Sequence, residues 1–184
     1  MATFYDQLTD QHAAFIARQP MFFIATAPKA GRINLSPKGM DTFRVFSPTR
    51  VGYLDLTGSG NETAAHIRDD GRVTVMFNSF DHAPLILRLY GRGRVVAADT
   101  EEFAALAPQF PDLPGARQII VVDVDSVQTS CGYAVPEMEL KAERQTLRTF
   151  AERKGEDGLA AYRRERNARS IDGLDTGLFG DGAA

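Results

Sequence analysis

Val51-Gly52-Tyr53-Leu54-Asp55-Leu56-Thr57-Gly58-Ser59-Gly60-Asn61-Glu62-Thr63-Ala64-Ala65-His66-Ile67 runs from an apolar strand, through a turn of glycines and hydroxyls, into a helix start. Small residues in such a turn let a ligand approach the backbone. The first N–H groups of a helix have no internal partners, and the helix dipole favours negative charge there. A phosphate is therefore a candidate ligand. The turn is too short for a P-loop and has no lysine, and it lacks the Gly-x-Gly-x-x-Gly spacing of a dinucleotide fold. Asn61 equally suits a plainer role, as the cap of a surface helix.

Outward from this stretch the chain reads as short strands. Thr9 to Gln19 is expected to be a helix with Ala13, Phe15, Ile16 and Ala17 on its apolar face, stopped by Pro20. Met21 to Ala27 and Arg32 to Ser36 read as a hairpin about Pro28-Lys29-Ala30-Gly31, broken by Pro37-Lys38-Gly39. Phe43 to Phe46 and Val51 to Leu56 pair about Ser47-Pro48-Thr49, and a helix follows over Asn61 to Arg68. Arg72 to Asn78 alternates, with Val73, Val75 and Phe77 on one face. Leu85 to Val96 is a long strand whose Gly91 and Gly93 predict a bulge or a tight corner. Asp99-Thr100-Glu101-Glu102 resembles a capping box, and Ile119 to Val124 with Val127 to Ser130 supplies the last strand or strands. So many strands with so few helices between them argue for an antiparallel barrel rather than βαβ units.

Beyond Pro136 the character changes. Glu137 to Arg169 is helical and heavily charged, with Leu140, Leu147 and Ala151 as a narrow apolar stripe. It is expected to form a helical hairpin on the barrel or on a partner subunit. Gly180 to Ala184 reads as a disordered end. The expected organisation is a barrel domain over 1–136 and a helical extension over 137–184.

The 184 residues suffice for one domain with its own core. A hydrophobic share of 43%, a charged share of 24% and a net charge of −3 are those of an ordinary globular protein, not of a nucleic-acid binder. No apolar run reaches membrane-spanning length, and the first residues lack the pattern of a secretory leader. The single cysteine, Cys131, rules out an internal disulfide and a cysteine-rich zinc site. No metal site is expected, and the cytoplasm is the expected location.

Four pieces in this order resemble the pyridoxamine 5′-phosphate oxidase-like family, the FMN-binding split β-barrel proteins. They are Gly31-Arg32-Ile33-Asn34-Leu35-Ser36-Pro37-Lys38-Gly39, Tyr53 to Thr63, Arg72 to Phe77, and Gln128-Thr129-Ser130-Cys131-Gly132-Tyr133-Ala134-Val135-Pro136. The resemblance spans about residues 9 to 135. It implies a mainly β (α+β) fold, a split antiparallel β-barrel with peripheral helices, and a homodimer with FMN in the groove between subunits. It places Lys38, Ser59, Asn61 and Thr63 at the phosphate and ribityl chain, with Arg32 or Arg68 assisting. Asn34, Ser36 and Asp55 fall near the ring or the ribityl hydroxyls. The implied function is an FMN-dependent oxidoreductase acting on a small substrate, with NADH or NADPH as a candidate electron donor. The alternatives are a flavin-binding or storage protein without turnover and, last, a haem-binding split barrel.

The chain departs from the family pattern twice. The Arg-x-His element near the C-terminus is missing, since Arg163 to Ser170 is basic but has no histidine. Asn61-Glu62 stands where the phosphate turn carries an Arg-Lys pair, and Glu62, although suited to the dipole, would repel a phosphate.

No catalytic residue stands out. His66 is either a ligand contact or a surface to half-buried polar residue, and His82 sits on a loop that could flank the site. Cys131 reads as a small buried hydrophobe or a thiol near the flavin. Tyr133 reads as core packing or as a stacking ring. Arg163 to Arg169 reads as a solvated helix face or as a receiver of an anionic substrate.

Overall fold

A computed structural model describes residues 2–180. Its strands are β1 (Thr3–Tyr5), β2 (Phe22–Thr26), β3 (Asn34–Lys38), β4 (Phe43–Ser47), β5 (Arg50–Leu56), β6 (Arg72–Asn78), β7 (Ile86–Ala97) and β8 (Ala116–Ser130). The helices are α1 (Asp10–Ala17), α2 (Glu62–Asp69), α3 (Glu101–Leu106) and α4 (Thr146–Arg166). The eight strands form one antiparallel sheet in the order β3-β2-β6-β7-β8-β5-β4, with β1 paired to the far end of β8. This is the antiparallel, strand-rich architecture that the strand pattern predicts, and it is consistent with the split barrel that the resemblance implies. No helix among the described residues is long and apolar enough to cross a membrane.

The long strands β7 and β8 are the spine. They pair along most of their length, with a shift in register between Tyr90 and Gly91. A Cβ at Gly91 would run into the Asp123 carbonyl, so the bulge anticipated there needs a glycine. Alternation sends one set of side chains inward. Phe22, Ile24, Val51, Tyr53, Val75, Phe77, Leu87, Leu89, Ile120 and Val122 make the barrel core, closed at one end by Leu8, Phe15 and Ile16. The opposite faces of β5 and β8 hold Leu54, Ile119 and Val121, which pack under α3 with Phe110 and Leu113.

Several expectations shift. The second strand of the first hairpin is Asn34–Lys38, not Arg32 to Ser36, so Pro37 lies inside a strand rather than breaking one. It is tolerated because β3 is an edge, paired only with β2. In α1 the buried set is His12, Phe15 and Ile16. His12 is inside because its Nδ1 accepts from Thr9 N–H while Thr9 Oγ1 accepts from His12 N–H. Strand β1 has no counterpart in the sequence reading.

The charged C-terminal region is helical only over Thr146–Arg166; 137–145 has no regular secondary structure and is held at Met138 by its N–H to the Phe80 carbonyl. Leu140 is therefore off the helix and exposed, whereas Ala151 and Leu159 are buried. At Gly155, where φ is 62°, α4 breaks. Phe150 and Tyr162 would stand about 18 Å apart along a straight helix. Their ring centroids are 5.4 Å apart, so the two arms fold back on one another. Of the tail expected to be disordered, Gly180 is exposed, and 181–184 lie outside the described residues.

Candidate functional site

On β3, Asn34, Ser36 and Lys38 fall at every second position and share one face, leaving Ile33 and Leu35 turned outward and exposed. That polar face meets the end of β5 and the turn into α2. Asn34, Ser36, Lys38, Asp55, Ser59, Asn61 and Thr63 line one cavity of about 240 Å³, together with Arg117. Three separate stretches of sequence thus converge. The cavity shares Asn34, Ser59 and Glu62 with a second one of about 650 Å³ bounded by Arg32, Arg166 and Arg169. It shares Lys38, Gly58 and Ser59 with a third of about 600 Å³.

A buried charge network forms its floor. Val51 and Tyr53 point into the barrel core, and Asp55, two residues on, continues their face to the barrel's end. Gln118 lies opposite Asp55 in the β5–β8 register, and its Nε2 donates to Asp55 Oδ2 at 2.8 Å. The register then slips between Asp55 and Leu56. That bulge lets Arg117, the next residue along β8, reach the same carboxylate, with Nε donating to Oδ2 at 2.8 Å. Lys38 Nζ stands 3.2 Å from Oδ1. Burial alone would push the Asp55 carboxyl up; the Arg117 guanidinium, the Lys38 ammonium and the hydrogen bonds from Arg117 and Gln118 hold it at about 2. Lys38 is therefore tied to a buried carboxylate.

Asn61 occupies the N-cap position of α2, but among the described residues its side chain makes no cap. Its Oδ1 instead accepts from Gln118 Nε2 at 2.8 Å. Asn61 Nδ2 and Gln118 Oε1 are buried with no hydrogen-bond partner among the described residues. A buried donor and a buried acceptor left open are costly unless a ligand satisfies them. Thr63 Oγ1 accepts from Asn34 Nδ2 at 3.2 Å, and Ser36 Oγ donates to Asn34 Oδ1 at 3.2 Å. Glu62 also lines the cavity, and its carboxylate accepts from the Ile171 N–H at 3.0 Å.

The C-terminal segment closes the back of the turn. Arg163 Nε donates to Thr57 Oγ1 and its Nη2 to the Ala116 carbonyl. Burial, and the charge of nearby Arg117, lower the pKa of Arg163 against a smaller opposing pull from Glu156. Asn167 accepts from Arg117 and donates to the Gly58 carbonyl. Sequence reading missed Arg117, Gln118 and Asn167, because each looks like an ordinary polar residue until the bulge and the hairpin aim it inward. Arg163 was seen only as part of a basic run.

The remaining candidates divide. His66 is fully buried, contrary to the surface reading, with Nδ1 3.1 Å from Thr26 Oγ1. It lies on the buried side of α2 with Ala65 and Ile67, yet it also lines the cavity of about 650 Å³ beside the site, and its Nε2 has no hydrogen-bond partner among the described residues. His82 lies on an exposed loop. Cys131 is exposed rather than a buried hydrophobe, its thiol pKa lowered chiefly by the Tyr133 N–H. Tyr133 is 82% exposed, which removes it from the core.

Residues 8–131 match the family described as pyridoxamine 5′-phosphate oxidase. The chain is 41% identical, over 95% of its length and 77% of the relative's, to the pyridoxamine 5′-phosphate oxidase family protein ustO of Aspergillus flavus. Among solved structures it is similar to HupZ of Group A Streptococcus, with a TM-score of 0.53 and 17% identity over 72% of this chain and 99% of that one. It is also similar to an FAD-binding protein of Mesorhizobium loti, with a TM-score of 0.50 and 13% identity over 71% of this chain and 99% of that one. At these identities the two structures establish a shared fold.

Proposed function

This chain belongs to the pyridoxamine 5′-phosphate oxidase family, and from that premise we propose that it binds FMN along β3 and works as an oxidoreductase on a small organic substrate. One observation carries the reading. Asn34, Ser36, Lys38, Asp55, Ser59, Asn61 and Thr63 line a single cavity, where a buried donor on Asn61 has no hydrogen-bond partner among the described residues. The FAD-binding relative of the same fold supports a flavin in general.

The donor set suits such a cofactor. Lys38 and Arg117 face Asp55, and Glu62 also lines the cavity, so the two cations offset two carboxylates and an anionic group finds its donors chiefly in the N–H and O–H groups of the turn. Ser59, Asn61 and Thr63 lie at the start of α2, where the dipole favours a phosphate. Glu62, the residue most at odds with a phosphate there, is held by the Ile171 N–H. Of the arginines that line the adjoining cavity, Arg32 pairs with Asp172 and Arg166 with Glu165, and Arg169 donates to the Gly173 carbonyl. A bound flavin would supply two-electron redox chemistry. The protein's share is orientation, exclusion of water and fixed hydrogen-bond donors. A homodimer completes the reading: Ile33 and Leu35, exposed on the outer face of β3 beside the site, are apolar surface for a second copy to cover.

The test is a spectrum and a titration. The purified protein is expected to be yellow, or to take up FMN to one per chain, and to be reduced by NADH or NADPH and reoxidised over many cycles. A colourless protein that ignores added FMN would overturn the reading. Reduction that stops below one equivalent would retain the flavin and reassign the protein to storage or sensing.

A further inference from the structure

We propose that the cavity of about 650 Å³ beside the cradle is a second ligand site, and that it takes a neutral sugar ring with one hydroxyl seated between His66 and Glu62. The observation behind it is His66 Nε2, a buried nitrogen without a hydrogen-bond partner among the described residues, on a side chain that lines this cavity. A buried polar atom left open is costly unless something satisfies it. The site goes beyond the flavin reading and does not depend on it.

The character of that nitrogen follows from its surroundings. Thr26 Oγ1 accepts from Asn34 Nδ2 at 3.3 Å, and among the described residues its own proton has only His66 Nδ1, 3.1 Å away, to go to. This network makes Nδ1 the acceptor, so a neutral ring carries its proton on Nε2. Nε2 lies 3.9 Å from Oε2 of Glu62, one turn earlier on α2 and itself half-buried. That gap is too long for a direct hydrogen bond and leaves room for one oxygen to bridge the two. An oxygen there meets an N–H on one side and a carboxylate on the other. A hydroxyl both accepts and donates, so it fits. A carboxylate oxygen only accepts, and an ammonium only donates. A water satisfies the same pair, but the cavity is many times the volume of one water and has the size of pockets that hold small organic ligands.

The charges around the cavity point the same way. Arg32 is matched by Asp172 and Arg166 by Glu165. Arg169, bonded to the Gly173 carbonyl, and Glu62, bonded to the Ile171 N–H, are one cation and one carboxylate more. The walls are thus polar without a net charge, and the hydroxyls of Ser59 and Ser170 offer further partners. Such a lining selects a neutral ring with adjacent hydroxyls over an ion. A free sugar and the ribose of a nucleoside share that chemistry.

The probes are methyl β-D-ribofuranoside, adenosine and 2′,3′-dideoxyadenosine, added to the protein at saturating FMN. With 15N-labelled histidine, the His66 Nε2 resonance, assigned by its loss in His66→Leu, is expected to shift saturably with the riboside and with adenosine. The dideoxy nucleoside is expected to bind at least tenfold more weakly, because it leaves the His66 and Glu62 groups unpaired. Adenosine binding tenfold tighter than the riboside assigns the site to a nucleoside, and equal affinities assign it to a free sugar. By equilibrium dialysis, His66→Leu and Glu62→Ala are each expected to weaken adenosine at least tenfold and dideoxyadenosine less than twofold. Glu62→Ala, at a half-buried position, guards against a folding defect in His66→Leu. A His66 resonance that neither sugar moves overturns the proposal, as does equal binding of the dideoxy nucleoside. Displacement of adenosine by inorganic phosphate also overturns it, by showing an anion site. So does binding that FMN abolishes, which would make the cavity part of the cofactor cradle. Adenosine binding by a protein that takes up no FMN sinks the flavin reading and leaves this site standing.

Discussion

Helices α1 and α2 both begin on a residue that the N-cap position favours, Thr9 and Asn61, yet only Thr9 caps its helix. Thr9 Oγ1 takes the His12 N–H at 3.3 Å and the His12 ring returns the bond, so that helix start is closed within four residues. Asn61 is drawn off by Gln118, which is itself held by Asp55. The start of α2 is left without a side-chain cap and opens on a polar cavity. A cap residue relieved of its local task is available to a ligand. Here the relief comes from a buried carboxylate in the neighbouring strand.

Breaking that carboxylate should have the largest effect. Asp55→Asn leaves buried Arg117 and half-buried Lys38 against a neutral group, and a loss of about 3–5 kcal/mol in urea unfolding is expected. A loss below about 1 kcal/mol would mean that the network does not hold the α2 start. Acid should do the same more gently. A carboxyl lowered to about 2 stabilises the fold above the unfolded-state pKa, and that stability disappears as pH falls from about 4 through 2. The contribution is about 2 kcal/mol, read as the difference in acid unfolding between the wild type and Asp55→Asn.

Lys38→Ala sharpens the binding side of the comparison. It is expected to weaken FMN by about 1–2 kcal/mol, roughly tenfold or more by titration, through loss of a charged donor. An unchanged FMN curve would displace Lys38 from the site. The smallest and most specific contrast is between the two helix starts. Thr9→Ala is expected to cost about 1 kcal/mol of stability and leave FMN affinity alone. Asn61→Ala removes no cap, so it is expected to weaken FMN severalfold and to shift unfolding only by the loss of its bond to Gln118. Equal stability losses with equal FMN affinity would erase the distinction.

Much of the fold could be read residue by residue because the governing forces are local. Alternation at Arg72 to Phe77, the glycines in β7 and the Thr100 cap, whose Oγ1 takes the Phe103 N–H, all act within a few positions. Pro37 misled because its effect depends on whether a neighbouring strand needs its missing N–H, and on β3 no second neighbour does. Leu140 misled because apolar spacing alone does not register the backbone bond at Met138 that pulls 137–145 out of the helix. His66 looked like a surface residue because a lone histidine in a polar helix gives no sign that Thr26, forty positions away, accompanies it in the interior.

The sequence by itself determined the strand-rich antiparallel class and the helix after Gly60. Each follows from steric periodicity over a handful of residues, whereas the polar face of Asn34, Ser36 and Lys38 emerges only because β3 runs on through Pro37. The tertiary structure decided which polar groups meet. Arg117, Gln118, Arg163 and Asn167 reach Asp55, Thr57, Gly58 and Asn61 only through the register slip at Leu56 and the fold-back at Gly155. Such meetings depend on long-range pairing of strands and on the packing of a hairpin, and no local pattern of side chains encodes them.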